Sequence, residues 1–123
     1  MTFGIWGARE PFGGPAGEAG QRRVEAMVAS AFAVGSEAIR APQRGPARAA
    51  FARQVAMYLS RTHLGLSPTA TGAFFGRDRT TAAHACRVVE QKRDDPHIDA
   101  IVDVLERAIE VWPELAAVKR RDR

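Results

Sequence analysis

Two helix-start signals stand eleven residues apart in this chain, and only a short element fits between them. Ser67-Pro68 pairs an N-cap hydroxyl with a proline at the first helical position, where its missing N–H costs nothing. Asp78 follows the turn Phe75-Gly76-Arg77 with a carboxylate able to accept the orphan amides of a new helix. The interval predicts a short helix from Pro68 to about Phe74, burying Ala70, Ala73 and Phe74, then a turn, then a helix from Asp78 to about Arg93. At 100° per residue, Ala82, Ala85, Cys86 and Val89 of the second helix share one face, and Thr80, His84, Arg87 and Gln91 share the opposite one. Small side chains on the inner face permit close packing, and the outer face is rich in donors. This is the layout of a helix-turn-helix, although periodicity alone equally allows a plain helical hairpin.

The flanking segments are helical too. Val24, Met27, Val28, Ala31 and Phe32 recur at helical spacing in a segment from about Glu18 to Ala33, which Gly35 ends. Ser36 is placed to cap a short turn carrying Ile39, and Ala41-Pro42-Gln43-Arg44-Gly45-Pro46 forms a basic loop that no regular element can occupy. A long helix follows from about Ala47 to His63, with Phe51, Val55, Tyr58, Leu59 and Thr62 on one face, Arg48, Arg53 and Arg61 off it, and Gly65 past its end. Pro96 opens a last amphipathic helix through Ile98, Ile101, Val102, Leu105 and Ile109 to about Val111, where Trp112-Pro113 breaks it. No segment alternates apolar and polar strand-forming residues, so the expected fold is all-α: a compact multi-helix domain containing a helix-turn-helix.

At 123 residues, 46% hydrophobic and 26% charged, the chain suits one domain with tails. The expected organisation is an arm at 1–16, a domain at 17–111 and an extension with a basic tail at 112–123. The Gly- and Pro-rich arm carries Phe3, Ile5, Trp6 and Phe12, which dock either on the domain itself, on a second copy or on a protein partner. Without a signal peptide pattern or a long apolar run, no membrane association is expected and the location reads as cytoplasmic, with the nucleoid. The single cysteine, Cys86, lies in an apolar helical pattern and reads as a small hydrophobe.

Net charge is +4, and its distribution says more than its size. From Ala38 to Arg77 there is no acidic residue, while Arg40, Arg44, Arg48, Arg53, Arg61 and Arg77 supply six positive charges. Downstream, Asp94, Asp95, Asp99, Asp103, Glu106, Glu110 and Glu114 face only Arg107 before the Lys119–Arg123 tail. One basic and one acidic side are expected, the first suited to phosphates.

The wording of the central segment goes further. Arg53-Gln54-Val55-Ala56-Met57-Tyr58-Leu59, Leu66-Ser67-Pro68, Gly76-Arg77-Asp78-Arg79-Thr80-Thr81-Ala82-Ala83-His84-Ala85-Cys86-Arg87 and Glu90-Gln91 closely resemble the C-terminal DNA-binding domain of the bacterial replication initiator family DnaA. That family's signature reads Gly-Arg-Asp-His-Thr-Thr-Val-X-His-Ala-Cys, and the resemblance extends more weakly upstream, over roughly residues 20–108. It implies recognition of short DnaA-box-like duplex sites, with one helix in the major groove and a basic loop reaching the adjacent minor groove.

By that resemblance, Asp78, Thr80 and Thr81 stand where the family meets base edges and thymine methyls, and Pro68 matches a proline that touches a thymine methyl. Arg77, Thr81, His84 and Arg87 take phosphate or orienting contacts, His84 being equally readable as a histidine bonded within the domain. Arg44 and Arg48 are the candidates for the minor groove, or else form a solvated positive face that meets phosphates only. Arg79 replaces the family histidine and brings a cation able to pair with guanine; Thr71 and Phe75 replace glycines near the turn, and Ala83 replaces a bulky residue. No Gly-X4-Gly-Lys-Ser/Thr loop is present, so neither ATP binding nor any other cofactor is expected, and the histidines lack catalytic or metal-ligand partners. The expectation is a stand-alone, non-enzymatic, monomeric DNA-binding regulator of replication initiation or transcription. The competing expectation is a protein-interaction module that kept the fold and lost specific DNA binding.

Overall fold

The computed structural model describes residues 15–42 and 46–115, and all regular elements among them are helices. They run α1 Pro15–Phe32, α2 Ser36–Arg40, α3 Ala47–Thr62, α4 Pro68–Phe74, α5 Arg79–Lys92 and α6 Pro96–Glu110. The sequence readings for the aromatic arm, for Arg44 and for the basic tail fall outside the described residues.

α3 is the central helix, buried from Val55 to Ser60 without a break. Its small residues Ala49, Ala52, Ala56 and Ser60 recur at three- and four-residue spacing and are fully buried, so neighbouring helices approach its backbone closely. The Ser60 hydroxyl, which this packing encloses, is satisfied by donating to the Ala56 carbonyl at 2.8 Å. α1 packs on one side of α3 through Val24 and Val28, and α5 on the other through Ala82, Ala85 and Val89. α6 adds Val102, Leu105 and Ile109 to the same core, and the packing continues past it to Trp112 and Leu115. The Arg23 guanidinium lies 3.8 Å from the Trp112 ring centre and 2.8 Å from Glu114, tying this last segment to α1.

The caps at the central helices match the sequence signals. Ser67 accepts from the Ala70 amide at 3.1 Å and Asp78 from the Thr81 amide at 2.9 Å. Two other local expectations are corrected. The N-cap of α2 is Gly35, not Ser36; the extended Gly35 carbonyl accepts from Ala38 and Ile39, and no side chain takes part. α1 ends at Phe32, before Gly35, with Ala33 in the left-handed region at φ 55 and the Val34 amide returning to the Ala29 carbonyl at 3.0 Å.

The inward face of α4 is also corrected: Ala70 and Ala73 are exposed and Phe74 is half-buried, while Thr71 and Gly72 are buried. The cause is Gly72, whose backbone lies so close to the next turn that an added Cβ would stand 2.7 Å from the carbonyl oxygens of both Arg77 and Asp78. α4 therefore turns its glycine edge, not its alanines, toward α5.

Two stability changes follow. Gly72→Ala forces that contact apart and lowers unfolding free energy by about 1–3 kcal/mol, read as a lower urea midpoint. Ala33→Gly relieves a left-handed backbone worth about 1–2 kcal/mol, against about 0.4–1 kcal/mol of added unfolded-chain entropy, so stability is expected to rise by a net of about 0.5–1 kcal/mol, read as a higher urea midpoint. A lowered midpoint would contradict the strain at this site.

Candidate nucleic-acid interface

The first half of α5 projects an uninterrupted polar edge. Asp78, Arg79, Thr80, Thr81, His84 and Arg87 are all exposed, while Ala82, Ala85 and Val89 on the opposite side are buried against α3 and α4. The division agrees with the helical periodicity except at Cys86, which is half-buried. Burial pushes the Cys86 thiol up, so it stays protonated and unreactive at neutral pH.

Asp78 has a structural task as well as an exposed position. The Thr81 amide, then the Thr81 hydroxyl, hold its carboxyl below the usual carboxylate range, with smaller help from the Thr80 amide and the Arg79 charge. It is ionised at any physiological pH, and with two oxygens and about four lone-pair sites the exposed carboxylate keeps acceptor capacity beyond its cap for an amino group of a base. Beside it Arg79, at the first position of α5, carries a planar fork of donors into solvent.

The turn before α5 is closed by backbone and side-chain hydrogen bonds. Gly76 has φ +69 with open space where a side chain would go, so only its backbone conformation calls for glycine. The Arg77 amide donates to Gly72 at 2.9 Å, and the Arg77 guanidinium donates to the carbonyls of Phe75 at 2.7 Å and Ala41 at 2.9 Å. Phe75 is 2% exposed and meets Phe74 edge-on, ring centres 4.9 Å apart. The two residues that replace family glycines thus fill interior space: Phe75 enters the core and Thr71 is fully enclosed, its hydroxyl without a hydrogen-bond partner among the described residues.

The basic surface is thinner than the run of arginines suggests. Arg53, read from sequence as lying off the buried face, is itself buried and donates to the carbonyls of Ile39 and Ala38. Arg40 forms a two-pronged pair with the buried carboxylate of Glu25, at 2.5 and 2.9 Å, and lies 4.5 Å over the Phe74 ring. With Arg77, three of the six charges between Ala38 and Arg77 work inside the domain. Arg48, at the start of α3, is exposed, and Pro68 is half-exposed at the start of α4.

The acidic side is likewise internally paired. Arg93 bridges Asp99 at 2.6 Å, Glu106 at 3.0 Å and the Tyr58 hydroxyl at 3.2 Å, which holds α6 to the end of α5. Arg107 meets Asp103, and His63 meets Glu110. The His63–Glu110 and Arg93–Tyr58 contacts were missed in the sequence because the partners are distant along the chain, whereas Arg107–Asp103, four residues apart, and Arg93–Asp99, six apart, are local pairs. Gly72 was missed as well, though a glycine inside a seven-residue helix is itself a signal of close backbone approach.

Taken together, a capped helix with an exposed edge of Asp, Arg, Thr, Thr, His and Arg can offer hydrogen bonds and methyl contacts to an anionic, grooved partner. Among the described residues no group of His, Cys, Asp and Glu is arranged to hold a metal, and no helix is long and apolar enough to cross a membrane.

Comparison with known proteins agrees with this geometry. The family model described as bacterial dnaA protein helix-turn-helix matches residues 22–89, more than half of the 123-residue chain. The chromosomal replication initiator protein DnaA of Lactococcus lactis subsp. cremoris is 35% identical over 88 residues, 70% of this chain and 19% of that protein. Chromosomal replication initiator protein DnaA 2 of Chlamydia trachomatis is 40% identical over 65 residues, covering 53% of this chain and 14% of its own length. DnaA of Deinococcus radiodurans is 42% identical over 59 residues, 47% and 13% of the two chains. The chain thus spans a fifth or less of the relatives it matches. With the capped α4, the Gly76 turn and the polar edge of α5 all lying within the matched residues, the chain belongs to the bacterial DnaA helix-turn-helix family of DNA-binding domains.

Proposed function

We propose that this chain binds duplex DNA at DnaA-box-like sites, as a monomer and without ATP, and regulates replication initiation or transcription by occupying them. The observation that carries the reading is the exposed edge of α5, which begins at a capped N-terminus and is backed by a face of small buried residues. Such a helix enters a major groove with its N-terminal residues toward the bases.

In this reading Asp78 accepts from a cytosine or adenine amino group, and the Thr80 and Thr81 methyls meet thymine. Arg79, exposed where the family signature has histidine, pairs with the two acceptors of a guanine and shifts the preferred site. Pro68 touches a thymine methyl at the edge of the groove. His84 and Arg87, one and two turns further along the same exposed edge, and Arg48 on α3 face phosphates, and Arg44 completes the contact in the minor groove. A single chain supplies all these contacts, which favours one copy per site.

Measured at one fixed physiological salt concentration, the chain is expected to prefer a DnaA-box duplex over a scrambled one by roughly a thousandfold or more, several mismatches acting at about 1–3 kcal/mol each. Equal affinities would contradict the proposal. Thr80→Ala is expected to shrink the preference roughly fivefold or more. Arg48→Gln is instead expected to weaken both duplexes alike and to lower the slope of log affinity against log salt by about 0.9. Displacement of a full-length initiator from its box by added chain tests the regulatory part; coexistence of both on one box would oppose it.

A further inference from the structure

Arg77 stands next to the reading helix, yet its side chain points away from the exposed edge. Its guanidinium is half-buried and reaches two carbonyls, Phe75 within the turn at 2.7 Å and Ala41 just past α2 at 2.9 Å. The buried Arg53 guanidinium comes to the same place from α3 and takes the carbonyls of Ile39 and Ala38. Two cations therefore converge on the last carbonyls of α2, where the helix ends and, among the described residues, only Ala38 receives a backbone amide, from Ala41 at 3.4 Å. Their mutual repulsion is tolerated because the carbonyl dipoles between them favour positive charge.

The backbone of Arg77 is held as firmly as its side chain. Its amide donates to Gly72 at 2.9 Å, and its carbonyl lies against the Gly72 backbone. The next residue is the Asp78 cap. Any shift of Arg77 therefore moves the cap and, with it, the first turn of α5.

The geometry points to Arg77 as a positioning residue of the DNA-reading site: it clamps the end of α2, which Arg53 holds from α3, to the turn and so sets where α5 begins, making no phosphate contact of its own. This inference rests on the DNA-binding reading above, but the clamp itself exists without DNA. A guanidinium can hold two carbonyls in separate directions with fixed geometry, and an ammonium on a flexible stem does so poorly. Charge and grip can thus be separated.

The test compares Arg77→Lys, which keeps the charge, with Arg77→Gln, which removes it, in the full chain. Both are expected to lower the preference for a box over a scrambled duplex roughly tenfold while leaving the salt slope of binding at its original value. A phosphate contact would instead leave Arg77→Lys close to the unmodified protein and drop the slope of Arg77→Gln by about 0.9 on both duplexes. That result overturns the inference.

Amide hydrogen exchange of the free protein gives an arm that needs no DNA. In both variants the amides of Arg77, Thr81 and Ala82 are expected to exchange roughly tenfold faster or more, with those of Val28 and Val55 unchanged. Unchanged exchange at the turn overturns the clamp, and uniform acceleration through α1 and α3 overturns it in favour of a role in global stability. If the unmodified chain fails to distinguish the duplexes, the DNA-binding reading fails, and the exchange pattern still decides whether Arg77 holds the turn.

Discussion

The backbone contact between Gly72 and the Arg77–Asp78 peptide governs how α4 and α5 meet, and much of the domain is arranged around it. Because a Cβ at residue 72 would stand 2.7 Å from two carbonyl oxygens, the two helices close to a separation that only glycine allows. That closure draws Phe75 into the core, sets Gly76 at positive φ and places Asp78 where its carboxylate caps α5. The exposed edge of α5 is then a consequence of packing: Ala82, Ala85 and Val89 must face inward, and residues on the other side have nowhere to go but solvent.

Around this contact the arginines divide into two populations. Arg40, Arg53 and Arg77 serve as internal connectors, pairing with a buried carboxylate or with the carbonyls of α2 and the turn. Arg48 on α3 and Arg79 and Arg87 on α5 remain exposed. The first group gives geometry and the second gives charge, so counting basic residues overstates the field that the surface presents to phosphates. A similar division holds on the far side, where Arg93 takes up the charges of Asp99 and Glu106 and in doing so fastens α6 to the end of α5.

How much of this could be read from the sequence depended on the range of the forces involved. Ser67, Pro68 and Asp78 announced their helices because a cap is made by a side chain and amides two or three residues away. The inner face of α5 was legible because fourteen residues give periodicity enough repeats to identify it. The seven residues of α4 do not, and there the apolar residues Ala70 and Ala73 suggested a face that the backbone contact at Gly72 overrides. Arg53 was read as surface because arginine usually is; its burial depends on carbonyls of a helix fourteen residues earlier in the chain. The DnaA signature carried the site itself, since Gly76 to Arg87 holds the cap, the inner face and the exposed edge in one continuous segment.

The most direct test of this arrangement is amide chemical-shift mapping while the protein is titrated with a DnaA-box duplex. Perturbations are predicted to concentrate on residues 78–88, with weaker ones near Arg48 and next to Pro68, and to spare the exposed side of α6 around Val104 and Val111. A footprint centred on α6, or shifts spread evenly over the surface, would contradict the assignment of α5 as the helix that meets DNA.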